Sequence, residues 1–150
     1  MIRTLLSCRR GSAIVEAALI MPFVLTLGFA AADAGALMSE SHRMKAGLAA
    51  GARFLARAKD PATVEEDARN IAVTGSRTSG GTPRVKGWTA AQVTISYRII
   101  PDPSGAYAGG GDVKIIRLTS QRSYTGLGLL RLAGAGPITL RATHEERWTS

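Results

Sequence analysis

The sequence predicts an α+β protein: a long N-terminal helix running into a small domain whose antiparallel sheet has about three strands. Three observations carry this. Apolar residues form a nearly unbroken run from Ile14 to Leu37, recur at helical spacing through Met44, Leu48 and Leu55, and alternate with polar ones from Val93 onward. Helical signals first and strand signals afterwards place helix against one face of an antiparallel sheet, rather than alternating helix and strand in a parallel one.

Ile14 to Leu37 covers 24 residues, about 36 Å as a helix, and is interrupted only by Glu16, Pro22 and Asp33. It is long enough to span a bilayer. Its uncharged centre, Ala17 to Ala32, has 16 residues, about 24 Å, so the two acids fall near opposite interfaces. A carboxylate in such a segment costs on the order of 2.5 kcal/mol or more near mid-membrane and less near an interface, so Glu16 asks for a partner. Pro22 lacks an N–H and is expected to kink the helix locally, which membrane helices tolerate. Gly28 with Ala32, and Ala31 with Gly35, have the small-xxx-small spacing that lets helices approach closely in lipid.

A basic leader precedes the run, with Arg3, Arg9 and Arg10, but Arg43, Lys45, Arg53 and Arg57 follow it, so charge counting does not orient the span. The net charge of +8 comes from basic residues scattered among apolar ones and not clustered with aromatics, which reads as a solvated surface and gives no nucleic-acid site. Leu5-Leu6-Ser7-Cys8 imitates a lipoprotein processing site, with too short a segment before it to form a signal core. Once the leader is removed, the chain has no cysteine for disulfides or thiolate chemistry.

Arg9-Arg10-Gly11-Ser12-Ala13-Ile14-Val15-Glu16, with Ala17-Ala18-Leu19 and then Pro22, resembles the N-terminus of the TadE-like pseudopilins, relatives of the Flp and type IV pilins. The resemblance implies a minor pilin or pseudopilin of a tight-adherence pilus. A membrane aspartyl prepilin peptidase would cut between Gly11 and Ser12, and Glu16, then the fifth residue, would be the assembly residue. The implied layout is a cytoplasmic leader 1–11, a transmembrane helix 12–37 and an extracytoplasmic domain 38–150 in the bacterial inner membrane. The implied partners are other pilins and the inner-membrane assembly platform. The resemblance does not separate TadE from TadF or TadG-type relatives.

The residues fit this chemistry. Glycine at the cut permits an extended backbone in a protease cleft. Cleavage would free the Ser12 α-amine, whose reference pKa lies near 7.7 to 8.0, leaving a cation close to the interface. On a helix Ser12 and Glu16 stand at i and i+4, about 6 Å apart along the axis, so the carboxylate can neutralise its own amine or that of a neighbouring subunit. Two alternatives stay open. Ala30-Ala31-Ala32 before Asp33 satisfies the small-residue rule for ordinary signal peptidase and would release a periplasmic basic binding domain. The chain is otherwise an unprocessed membrane-anchored domain.

Beyond the span the helix is expected to continue, and Gly47-xxx-Gly51 offers either a close-approach face or a merely flexible one. Asp60-Pro61 ends that helix or caps the next, and Thr63-Val64-Glu65-Glu66 has the capping-box pattern ahead of a short helix from about Ala62 to Val73. Loops are expected near 74–87 and 101–112. Strands are expected from Val93 to Ile99, from Val113 to Tyr124 with a register slip near Ile115-Ile116, and from Ile138 through His144 to Trp148.

Catalytic and cofactor patterns are not visible. His42 and His144 are far apart, and His144-Glu145-Glu146 lacks the second histidine of a zinc helix. The run from Gly126 to Arg131 lacks the third glycine of a dinucleotide fingerprint, and Gly109-Gly110-Gly111 has no lysine-serine continuation. The expectation is a non-enzyme with neither cofactor nor metal.

Overall fold

A computed structural model describes residues 9–101, 112–126, 134 and 136–149, with side chains from Ala13 onward. The leader residues through Cys8, the glycine cluster at 109–111 and residues 127–133 lie outside the described residues. The architecture is α+β: a long helix, a short second helix and a three-stranded antiparallel sheet. The described residues fall into two units, one holding the chain up to Ala36, the other built from Leu37–Tyr124 and the residues from Pro137 on.

Helix α1 runs Arg9–Ala56, so it continues past the apolar run as expected. Within the second unit, Met44, Leu48, Ala52 and Leu55 are spaced by four, four and three residues. They form one stripe, and all are fully buried. After Ala56 the chain tightens, with the Arg57 and Ala58 amides bonding back to the Phe54 and Leu55 carbonyls. The next segment starts as a single 3₁₀ turn, Pro61–Val64, capped by Asp60, whose Oδ1 accepts from the Ala62 N–H at 3.1 Å.

Helix α2 follows at Glu65–Thr74. The expected capping box at Thr63 is not formed: Val64 is the N-cap and makes no side-chain bond. The Thr63 hydroxyl instead donates backward to the Asp60 carbonyl at 2.9 Å, because the Asp60-Pro61 turn captures it first. Gly75 closes α2 at φ 85°, its N–H reaching the Ile71 carbonyl. The segment after it is loop, as expected, yet it delivers Val85 and Trp88 to the core, where the Trp88 indole donates to Ser120 Oγ at 2.9 Å.

Strands β1 (Val93–Ile100), β2 (Val113–Ser123) and β3 (Thr139–Arg147) pair antiparallel in sequence order. The expected slip at Ile115-Ile116 does not occur, since pairing runs unbroken from Val93↔Ser120 to Ile100↔Val113 and from Ile115↔Arg147 to Ser123↔Thr139. Two adjacent isoleucines break the alternation because the sheet is covered unevenly. Ile116, Leu118, Ser120 and Arg122 face the helices and are buried, whereas Ile115 is half-buried on the opposite face. The same uneven cover leaves Tyr97 and Ile99 exposed on the helix side, although their alternation marks them as inward. Arg122, almost fully buried, pairs with Glu40 of α1 at 2.8 Å and ties helix to sheet.

The glycine spacing on α1 has a definite use. A methyl at Gly51 would sit 2.7 Å from the Ala68 carbonyl oxygen and 3.0 Å from Leu118, and one at Gly47 would overlap the Ala72 carbonyl and press on the Trp88 ring. The close neighbour is thus α2 of the same chain. Alanine ordinarily favours a helix interior over glycine by about 1 kcal/mol. Gly47→Ala should nevertheless lower stability by roughly 2 kcal/mol or more, because the blocking atoms belong to backbone and a packed indole. Gly28→Ala, with nothing within 4 Å, should not. Urea unfolding of the detergent-solubilised chain, followed by tryptophan fluorescence, reads the difference; a neutral Gly47→Ala would contradict this packing.

The Tyr97 hydroxyl donates to Glu65 Oε1 at 2.8 Å, joining β1 to α2, while Glu65 also holds Arg69 at 2.7 Å. Partial burial of the hydroxyl, then the adjacent carboxylate, pushes the Tyr97 pKa well above its ordinary value. The folded state keeps this proton longer than the unfolded one. Its contribution to stability is therefore full below about pH 10 and is lost as pH rises through the raised value. In an absorbance titration one of the three tyrosines should ionise late, and Glu65→Gln should bring it part of the way back. Simultaneous ionisation of all three would rule this out.

Candidate functional site

The first half of α1 is the chemically unusual part of the chain. Every residue from Ala13 to Phe29 is exposed, and the large side chains point in all directions: Ile14 is 71% exposed, Leu19 68%, Phe23 77% and Leu27 76%. Its most apolar window has a mean hydropathy of 2.1 and none of it is buried. An aqueous monomer rarely leaves such a patch open, and a helix that is apolar all round belongs in lipid or within a bundle. This is a candidate membrane span.

The polar positions within it are few. Arg9, Arg10, Gly11 and Ser12 form the opening turn of α1, which places Ser12 and Glu16 one turn apart on the same side of the helix. Glu16 is exposed and makes no ion pair with another described side chain. Asp33 stands in a different setting, 1% exposed and engaged in an interaction of its own. The helix continues across Pro22, whose carbonyl accepts from the Thr26 hydroxyl at 2.7 Å. Around Gly28 and Gly35 there is open space, unlike the occupied surface at Gly47 and Gly51.

Residues 11–53 match the model of a family described as TadE-like protein. Over that stretch the chain is similar to TadE-like proteins. The match begins at Gly11, takes in Glu16 and Pro22, and extends along α1 into the stripe that holds Met44, Leu48 and Ala52, without reaching the sheet. Comparison with curated proteins and with solved structures gave no match. The match and the one candidate span among the described residues fall on the same helix.

The other sequence candidates are dispersed. His144 lies in β3 opposite Leu118 with its Nε2 3.2 Å from Glu146, and His42 is exposed on α1. Among the described residues no group of three or more His, Cys, Asp or Glu could hold a metal ion. One grouping was not anticipated from sequence: Arg53, Arg57, Lys59 and Arg77 border a single cleft. Arg53 and Arg57 count in sequence as charges flanking the span; their i, i+4 spacing at the end of a helix is the available signal for the cleft.

Proposed function

We propose that the chain is a TadE-like pseudopilin of a tight-adherence pilus, cut between Gly11 and Ser12 by a membrane aspartyl prepilin peptidase. Residues 12–37 then span the inner membrane and residues 38–150 form the extracytoplasmic domain, with the N-terminus cytoplasmic. The observation that carries this reading is a family match starting at Gly11 on a helix whose exposed apolar surface bears one carboxylate a turn beyond Ser12. After cleavage the Ser12 amine becomes the partner that Glu16 lacks among the described side chains, either in the same subunit or in the neighbour whose helix packs alongside. The open surface around Gly28 and Ala32 supports helix-to-helix packing with other pilins and the assembly platform.

Processing and assembly are separable by experiment. Intact mass of the membrane-extracted protein should place the N-terminus at Ser12. A start at Asp33 would select signal-peptidase release, and a retained Met1 would select an unprocessed anchor. Glu16→Ala should be cut normally while surface piliation falls at least tenfold, or about 1.4 kcal/mol of assembly free energy expressed as an equilibrium. Wild-type piliation with Glu16→Ala would remove the assembly role from this residue.

A further inference from the structure

The end of α1, the 3₁₀ turn, α2 and Trp148 enclose an open cleft of about 1240 Å³. Its floor is apolar, formed by Phe54, Val64, Ile71 and the Trp148 ring, and its rim carries Arg53, Arg57, Lys59 and Arg77 against the single acid Asp60. A smaller hollow of about 320 Å³ shares Asp60 and Trp148 and extends the groove past Pro61 to the exposed Tyr97 and Ile99, where Lys114 adds one more cation. All of this lies within the second unit.

Three of the rim cations are not accounted for by the fold. Arg53, Arg57 and Lys59 are exposed and form no ion pair with a described residue. Arg53 and Arg57 are i, i+4 neighbours of like charge, a spacing that destabilises a helix slightly. The usual compensation, cations beside the free carbonyls of a helix C-terminus, is already replaced here. The Ala56 carbonyl accepts from the Thr149 N–H at 3.1 Å, and the Ala58 carbonyl accepts from the Trp148 indole at 3.0 Å.

We propose that this groove is a docking site for an acidic, apolar segment of a partner protein. Carboxylates of such a segment meet the rim while its apolar side chains cover the floor. The floor is recessed, so a flat lipid surface reaches the rim without covering it. Base stacking is disfavoured because a cation already stands over one face of each large ring, Arg77 at 4.6 Å from the Phe54 centroid and Lys114 at 4.3 Å from that of Trp148.

The test uses the full chain in neutral detergent and a labelled peptide of about a dozen residues in which Glu alternates with Leu and Phe, read by fluorescence anisotropy. Binding should weaken at high salt and fall about tenfold or more in the Arg53→Glu/Arg57→Glu double variant, and measurably in Lys59→Glu. Arg141→Glu, on the opposite face of the sheet, should leave it unchanged, and circular dichroism should be that of the wild type throughout. Four results would overturn the proposal: equal binding by the double variant, equal binding of polyglutamate, displacement of the peptide by glycerol phosphate, or self-association lost in the double variant without peptide binding. The third assigns the cleft to a phosphate headgroup and the fourth to a second copy.

Discussion

The second unit depends on the absence of two methyl groups. Gly47 and Gly51 let the carbonyls of Ala72 and Ala68 rest on the surface of α1, which fixes the separation of the two helices. That separation leaves room for the Trp88 ring beside Gly47 and for Leu118 beside Gly51, and Ser120 then meets the indole N–H. A helix pair held further apart would leave voids around a core made largely of alanine and single branched residues, and such voids lose dispersion contacts directly. With few aromatics, this chain obtains density from close backbone approach.

Much of the plan was legible because it rests on periodicity. The change from an unbroken apolar run to a helical stripe and then to alternation marked α1, α2 and all three strands, and Met44, Leu48 and Leu55 are buried where their spacing placed them. What was not legible depends on partners remote in sequence. Thr63 was free to cap forward until Asp60 took its hydroxyl, and Tyr97 and Ile99 alternate like core residues although the helices cover them only in part. The spacing of Gly47 and Gly51 marked a close approach without saying whether the neighbour was another protein or α2. The basic cleft was hidden because Arg77 lies in a loop that only the fold brings near Arg53.

One continuous helix serves two different environments. Its first part is apolar on every side and bears an exposed Glu16, while its later part keeps a narrow buried stripe and offers charged residues elsewhere. Small residues serve both parts differently. Around Gly28 they leave bare surface, and around Gly47 the surface is filled from within the same chain. A GxxxG pattern therefore identifies a place of close approach, and the occupant has to be found from what else packs there.

The C-terminal residues give the domain an order of completion. Thr149 bonds the Ala56 carbonyl through both its amide and its hydroxyl, Trp148 bonds Ala58 through its indole, and the Trp148 amide joins Lys114 of β2. The end of the first helix is thus finished by residues made more than ninety positions later. A chain emerging from the ribosome carries an unfinished helix end and an unpaired β2 edge until β3 arrives. Closure of this helix end therefore depends on one short segment remote in sequence, and the two ends of the domain are completed together.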